Sequence, residues 1–249
     1  MERKYWVPAL ERADMVLRQI AEHPSMLKMT DLCHVTGIHK STMFSLLHTL
    51  ESLSWIKRDK GDTYALGAIF GTLGNAYFSN NDLIDRFMEL AEEGLQEIGE
   101  TLQLSKLEGG DIIYLAKKES ISPVRLISEP GTRIPAYAAA MGKVMLADLK
   151  EEQLRSLYKD ESFLQLTPNT ITSLAQLEQS LNTVRKQGYA LDQEEVAEGF
   201  SCVAAPVKNT EGKVIAAVSF SMLTGRWMKK KEQAIKAIQN IAMQLSLAE

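Results

Sequence analysis

The sequence has few of the residues that mark a secreted, membrane-spanning or metal-binding protein. Its 249 residues include only two cysteines, Cys33 and Cys202, which lie far apart in the chain. This spacing favours a reduced, cytoplasmic protein over a disulfide scaffold. The longest nearly apolar run, Val214 to Leu223, has ten residues, about half of what a membrane-spanning helix needs. We therefore expect no membrane partner, and the first residues lead into no secretory signal.

Histidine is equally scarce and unevenly placed. All four histidines precede residue 49, and the last of them is His48. Because histidine is the commonest metal ligand and a frequent catalytic base, we predict no metal site and no cofactor. A cysteine-dependent enzyme using Cys202 is an alternative, but a catalytic thiol needs a base that lowers its pKa. No histidine follows His48 to fill that role, so the sequence argues against an enzyme.

The charge is divided unevenly along the chain. Residues 1–67 carry nine basic and eight acidic side chains, whereas residues 68–249 carry 19 and 24, giving the overall net charge of −4. A net acidic protein is mild evidence against a nucleic-acid partner. Only the surface that contacts nucleic acid must be positive, however, so the local pattern of residues 1–67 is better evidence on nucleic-acid binding than the net charge.

Residues 1–67 contain the pattern of a winged helix-turn-helix. A first helix is predicted over 8–23, a short second helix has Thr30 as its N-cap, and a third runs from about Lys40 to Glu51. The third helix has an apolar stripe at helical spacing, formed by Met43, Leu46, Leu47 and Leu50. Two short strands with a turn between them follow, over residues 55–66. Two helices joined by a tight turn and followed by a basic hairpin are typical of this DNA-binding module.

The opposite face of the third helix carries groups suited to the major groove of DNA. A lysine, short hydroxyl side chains, an aromatic ring and an imidazole lie there: Lys40, Ser41, Phe44, Ser45 and His48. Lysine pairs with guanine acceptors, and serine donates or accepts. In the hairpin, Lys57, Arg58 and Lys60 are suited to phosphate contacts. The alternative is that both surfaces are merely solvated.

The rest of the chain predicts a second, larger domain of the α+β class. Residues 68–80 are apolar and contain glycine, which indicates a linker helix. Over 81–249 a long first helix is followed by three strands in 101–128, a small-residue helix over about 139–147, and a mixture of further strands and helices. Such a mixture without regular alternation favours an antiparallel sheet. On the last strand, Ser219 and Ser221 share one face, where two hydroxyls on an otherwise apolar surface need partners or line a pocket.

Three stretches together resemble the IclR family of bacterial transcription regulators. They are Thr36 to Thr42 with Leu46 to Leu50 and Tyr64 to Gly67; Gly131 to Pro135 running to Gly142-Lys143; and Gly188 to Glu195 with Gly199 and Cys202 to Val207. The resemblance covers essentially the whole chain. It implies an N-terminal winged helix-turn-helix over 1–67, a linker helix over 68–80 and an effector-sensing domain over 81–249 related to the GAF and PAS folds.

The resemblance also implies partners and residues. Double-stranded DNA would be bound by the residues already named together with His39 and Thr42, and a small organic acid would bind the second domain. Matched to the family pattern, the effector pocket contains Ile134, Ala140, Met141, Asp192, Phe200, Cys202, Ser219 and Ser221. Family members act as dimers, often as dimers of dimers, so we expect a homodimer or tetramer on an inverted-repeat operator.

The chain departs from the family at two places. The family often has arginine where Ser45 stands, so one phosphate contact is missing. It commonly has histidine where Tyr137 stands, so the pocket is expected to be more apolar than usual. The sequence thus predicts a ligand-responsive transcription regulator, with a repressor of a catabolic operon favoured over an activator. A partner-binding protein with a degenerate helix-turn-helix is the remaining alternative.

Overall fold

The chain forms two compact units, Met1–Asn80 and Asn81–Glu249. The computed structural model describes residues 6–78, 82–122, 124, 126–159 and 163–246, without the side chains of residues 75 and 78. The apolar segment predicted as a linker forms a helix that belongs to the first unit. None of the helices in the described part of the chain is long and apolar enough to cross a membrane.

Within residues 6–78, the first unit contains four helices and a two-stranded hairpin. Its elements are α1 (Pro8–Glu22), α2 (Met29–Thr36), α3 (Lys40–Ser52), β1 (Ile56–Arg58), β2 (Tyr64–Leu66) and α4 (Ile69–Phe78). The turn between α2 and α3 contains Gly37 in the left-handed region, with φ of 69°, a conformation that glycine adopts without strain. The predicted N-cap at Thr30 is wrong. The Asp31 carboxylate accepts the N–H of Lys28 at 2.9 Å, so α2 begins at Met29.

The apolar stripe of α3 lies in the core of the first unit, as predicted. Met43, Leu47 and Leu50 are buried, and Leu46 is partly buried against them. The hairpin is tied to the loop after α1, because the N–H of Tyr64 donates to the carbonyl of Leu27 at 3.1 Å. These contacts fix α3 and the hairpin on one small scaffold while leaving the other face of α3 in solvent.

The second unit is built on a six-stranded antiparallel sheet with strand order β5-β4-β3-β8-β7-β6. Its elements are α5 (Asp82–Ile98), β3 (Thr101–Glu108), β4 (Asp111–Lys118), β5 (Arg133–Pro135), α6 (Ala140–Leu146), α7 (Glu151–Leu157), α8 (Leu174–Gln187), β6 (Ala190–Gln193), β7 (Phe200–Lys208), β8 (Val214–Leu223) and α9 (Thr224–Ser246). The predicted α+β class is confirmed.

Helices cover both faces of this sheet. On one face α5 packs so closely that a Cβ on Gly94 would lie 2.8 Å from Ile241 of α9 and 3.1 Å from Leu102 of β3. On the other face, α6 and α8 form one apolar cluster with Tyr114, Ala204 and other sheet residues. The sheet is therefore buried on both sides, and any polar side chain pointing to either face must find a partner.

One predicted strand is absent. Among the described residues of 101–128 there are two strands, β3 and β4, and those between Lys118 and Ser128 form no third. This segment is attached to the sheet through side chains: the N–H of Ser120 donates to Thr101 Oγ1 at 3.1 Å, and Gln103 Nε2 donates to Ser128 Oγ at 3.0 Å. Side-chain bonds of this kind hold the segment against β3 without strand pairing, so the apolar residues that predicted a third strand do not form one.

Candidate DNA-binding face and effector pocket

The face of α3 opposite its buried stripe is open to solvent. Six of the seven residues predicted on it are exposed, namely His39, Lys40, Ser41, Phe44, Ser45 and His48, whereas Thr42 is half-buried. His39 is the N-cap of α3, so Lys40 and Ser41 lie in the first turn. The N-terminal turn of a recognition helix is the part that contacts base edges. We name these six exposed residues the reading face.

The hairpin carries its cations together with its own acids. Lys57 Nζ lies 3.4 Å from Asp59 Oδ1, and an Arg58 guanidinium nitrogen lies 2.9 Å from Asp62 Oδ1. Lys60 is exposed and has no ion pair within the described ranges. Exposed pairs of this kind contribute little to stability. DNA phosphates can therefore replace the carboxylates, but the net charge that the hairpin offers is smaller than its three cations suggest.

Asp59 is itself held in place from outside the hairpin. The Ser25 hydroxyl donates to Asp59 Oδ2 at 2.6 Å, and this bond, with a smaller contribution from Lys57, lowers the pKa of Asp59. The carboxylate thus stays charged beside Lys57 at neutral pH. This contact was not foreseen, although the two aspartates among the three cations are visible in the sequence.

In the second unit, strand register gathers polar residues on the face covered by α6. Ser219 pairs with Gln103, and Ser221 pairs with both Thr101 and Cys202. Asp192 pairs with Cys202 at the next strand. On β8 itself the two serines share their face with Ala217, as predicted, but neighbouring strands add further polar residues to that face, and the two from β3 were not predicted. Consecutive strand partners form a line of four residues, Asp192, Cys202, Ser221 and Thr101, and the pair Ser219 and Gln103 lies beside it. We name these six residues the polar row.

Two pairs of side chains within this row are in hydrogen-bond contact. Ser219 Oγ donates to Gln103 Oε1 at 2.9 Å, and Cys202 Sγ lies 3.4 Å from Ser221 Oγ. Ser105, on the same face of β3, places its hydroxyl 3.2 Å from the sulfur of Met141. Because each of these hydroxyls and amides already has a partner, a ligand that bonds to them must replace an internal contact.

Asp192 is the buried carboxylate of the row. Its Oδ1 accepts the backbone N–H of Glu195 at 2.7 Å and that of Val196 at 3.4 Å. Burial raises the pKa of Asp192 to about 7, and the carboxylate of Glu195 adds to this shift while the N–H bonds and Lys143 oppose it. The protonation change of this group therefore falls near neutral pH, and the group is able either to donate or to accept.

Lys143 is a buried cation that the sequence did not single out. Its ammonium donates to the carbonyl of Leu191 at 2.9 Å and to Glu195 Oε1 at 2.5 Å, and the residue is only 2% exposed. The other carboxylate oxygen, Glu195 Oε2, is buried without a hydrogen-bond partner in the described structure. A single lysine among the apolar and small residues of α6 was the signal in the sequence that could have predicted a buried cation.

The predicted effector residues are divided between two environments. Phe200 and Ser221 line a small cavity with Thr101, Gln103 and Arg226. Ile134, Ala140, Met141 and Cys202 belong to the apolar cluster under α6, which also contains Tyr114. The cavity encloses about 20 Å³, room for a water molecule but not for an organic acid. A Cβ on Gly142 would lie 2.1 Å from the carbonyl oxygen of Ala136, so α6 also leaves little space.

Cys202 has the wrong properties for a nucleophile. Burial raises the pKa of its thiol well above the usual value, and the neighbouring Asp192 raises it further. A catalytic cysteine needs the opposite shift, because the thiolate is the reactive form. In the described ranges, no group of three His, Cys, Asp or Glu side chains is placed to hold a metal ion.

Reasoning from the sequence overlooked several polar residues around the row: Gln103, Ser105, Tyr114 and Lys143, which are buried, and Glu195, which is half-buried. The alternation of polar Thr101, Gln103 and Ser105 with leucines along β3 is a visible signal. This signal could have predicted a polar face on β3. It could not have predicted that this face lies beside Ser219 and Ser221, because the alternation within one strand does not specify which residues of another strand it pairs with.

A winged helix-turn-helix with an exposed polar recognition helix, joined to a separate antiparallel domain, defines a DNA-binding transcription regulator. The helix-turn-helix domain of IclR regulators matches residues 9–60, and the family described as bacterial transcriptional regulator IclR C-terminal matches residues 75–247. The chain belongs to the IclR family of bacterial transcription regulators, as the sequence motifs predicted.

Characterised relatives agree with this assignment. The HTH-type transcriptional regulator XynR of Escherichia coli K12 is 36% identical over 221 residues, which cover 88% of each chain. The HTH-type transcriptional repressor AllR of Salmonella typhimurium is 29% identical over 214 residues, covering 86% of this chain and 79% of AllR. The crystal structure of an IclR transcriptional regulator from Alicyclobacillus acidocaldarius has a TM-score of 0.82 at 29% identity, covering 98% of this chain and 99% of that one.

Proposed function

We propose that this regulator represses a catabolic operon in the cytoplasm by binding an inverted-repeat operator through the reading face. The observation that carries the proposal is the exposure of Lys40, Ser41 and His48 on a helix whose opposite side is locked into the core. The name of the relative AllR supports repression. Activation by the same operator contact is the alternative, and a reporter gene behind the operator distinguishes them.

The test of the reading face is a bulky substitution that leaves the fold intact. Ser41→Tyr should abolish selection of a preferred duplex from random DNA, since its side chain enters the groove first. Ser52→Tyr is the matched control, because Ser52 lies on the same side of α3 about 16 Å further along the helix axis. Normal operator binding by Ser41→Tyr, with both variants folded by circular dichroism, would show that the reading face is wrongly assigned.

The protein is proposed to act as a homodimer, or as a tetramer built from dimers. One winged helix reads too few base pairs to mark a genomic site, whereas a two-fold dimer reads two half-sites. In α4, Leu73 is 55% and Tyr77 51% exposed, while Ile69 and Phe70 are half-buried and the side chain of Phe78 lies outside the described residues. Light scattering at micromolar concentration should give at least twice the mass of the chain, and a monomer would contradict this.

The proposed effector is a small carboxylate with a hydroxyl or keto group, bound at the polar row. Asp192, Ser219 and Ser221 provide bonding groups for its oxygens, and the N–H groups at the start of α6 would hold the carboxylate. Because the cavity beside Ser221 encloses only about 20 Å³, binding requires the covering residues to move. Two arrangements of one domain with different effector affinities are what a ligand-controlled repressor needs.

A thermal-shift screen with a panel of small organic acids tests the effector proposal. A bound acid raises the melting temperature as its concentration increases. The double variant Ser219→Ala, Ser221→Ala should lose the response to that acid while keeping operator affinity, since the operator is bound by the other unit. Loss of operator binding in the folded variant would assign the two serines to the architecture, and an unchanged response would place the pocket elsewhere.

A further inference from the structure

The reading face contains an aromatic ring that hydrogen bonding does not explain. Phe44 is 64% exposed. The structure describes every residue of α3, and Phe44 is the one large hydrophobic residue of this helix that is exposed. Its neighbours Met43 and Leu47 are buried. A phenyl ring at this position neither packs in the core nor pairs with a neighbouring ring within the described residues.

The side chains around Phe44 leave its ring unobstructed. The hydroxyl of Ser45 donates to the carbonyl of Ser41 at 3.2 Å, and that of Thr49 donates to the carbonyl of Ser45 at 2.9 Å. These hydroxyls turn back onto their own helix, so they do not extend from it. Lys40 and His48 lie one turn before and one turn after Phe44 on the same stripe. The ring therefore projects from the middle of the reading face, between two side chains that are proposed to contact DNA.

The chemistry of the major groove then selects one base. The edges of guanine, cytosine and adenine present hydrogen-bonding groups there, whereas thymine adds a 5-methyl group. A phenyl ring set against a polar base edge would exclude water and return no hydrogen bond. We propose that Phe44 recognises thymine in each half-site by contact with this methyl group. The inference rests on the proposed operator binding by α3.

The experiment removes the methyl group and nothing else. A preferred duplex is first selected from random DNA with the full-length protein. Each thymine is then replaced singly by deoxyuridine, which has the same hydrogen-bonding groups without the methyl, and affinity is measured by fluorescence anisotropy. At one position in each half-site the replacement should weaken binding by about fourfold, the effect of exposing one buried methyl group. Replacement at the other thymines should have little effect.

Two variants of Phe44 link the effect to the ring. Phe44→Ala should bind the selected duplex and its deoxyuridine form with equal affinity, because alanine is too short to reach the methyl group. Phe44→Leu should keep part of the difference, since leucine remains apolar. Leu53→Ala is the matched control: Leu53 is 55% exposed and lies just beyond the last residue of α3. It should leave the deoxyuridine effect unchanged.

The outcomes separate this inference from the proposed function. If no duplex is preferred, operator binding by α3 and the thymine contact are both wrong. If a duplex is preferred but no deoxyuridine replacement matters, only the thymine contact is wrong. It is also overturned if Phe44→Ala retains the full sensitivity to deoxyuridine, because the methyl group is then read by another residue.

Discussion

The reading face of α3 and the polar row of the second unit carry similar side chains in opposite conditions. Both contain serines together with side chains that carry ionisable groups. On α3 these groups face solvent, and Ser45 and Thr49 bond only to their own helix. In the row they are buried and bonded across strands, as Ser219 is to Gln103.

This difference predicts how each of the two proposed sites would bind its ligand. DNA bound at the reading face, as we propose, would displace only water, so the side chains there need no rearrangement. A ligand of the polar row must replace contacts that already hold the sheet together, so binding there is coupled to rearrangement. The first unit is thus suited to recognition and the second to switching. Substitutions should distinguish the two regions through their effects on stability.

The largest expected effect is at the buried ion pair. Lys143→Met leaves the carboxylate of Glu195 buried without its cation and should lower the free energy of unfolding of the second unit by about 3–5 kcal/mol. Lys40→Met on the reading face should change it by less than about 0.5 kcal/mol. Urea denaturation measures both. The double variant Lys143→Met, Glu195→Gln should recover part of the loss, and no recovery would show that Lys143 acts through packing.

The next effect is a pH dependence at Asp192. The folded state raises the pKa of this group from 3.8 to about 7, so the folded protein retains a proton that the unfolded chain releases. Its contribution to stability is therefore greatest below about pH 4 and is lost progressively as the pH rises to about 7, by up to a few kcal/mol. Asp192→Asn keeps an oxygen acceptor for the N–H of Glu195 but cannot ionise.

Unfolding curves of both proteins between pH 4 and 8 isolate this contribution. The difference in unfolding free energy between Asp192→Asn and the parent chain should grow in favour of the variant as the pH rises. A constant difference across this range would mean that Asp192 is ionised throughout in the folded protein. No comparable dependence is expected when Ser41 is substituted, because that side chain is exposed and does not titrate.

A smaller effect is expected for single hydroxyls. Ser219→Ala leaves Gln103 Oε1 buried without its donor and should cost about 1–3 kcal/mol of stability. Ser41→Ala, an identical change on an exposed helix, should stay within about 0.5 kcal/mol. Thermal unfolding is a sufficient measurement. An equal loss of stability for the two variants would show that the hydrogen bond of Ser219 to Gln103 does not stabilise the fold.

The smallest effect concerns only affinity for DNA. Lys57→Ala with Lys60→Ala should make the dependence of log affinity on log salt shallower by about 0.9 for each phosphate that the hairpin no longer neutralises, on specific and random DNA alike. Because Lys57 already pairs with Asp59, we expect its share to be the smaller one. Lys229→Ala, at an exposed position of α9, is the control, and an unchanged slope in the double variant would exclude the hairpin from the interface.

Local patterns were enough to predict most of the fold. Periodicity identified the buried stripe of α3, and the Gly37 turn and the basic hairpin completed the module. Prediction failed where bonds between distant residues decide the outcome. The hydrogen bond from the N–H of Lys28 to Asp31 makes α2 begin earlier than predicted. Ser120 and Ser128 bond to side chains of β3 where a third strand was predicted.

The sequence by itself determined the family, the two-part organisation and the exposed face of α3, because each depends on residues close together in the chain. Only the tertiary structure decided what Ser219, Asp192 and Lys143 do. Strand register placed Gln103 opposite Ser219, and the approach of α6 to the end of β6 buried Lys143 beside Glu195. Those partners are dozens of residues apart, and their pairing follows from how the sheet and helices pack and not from any local pattern.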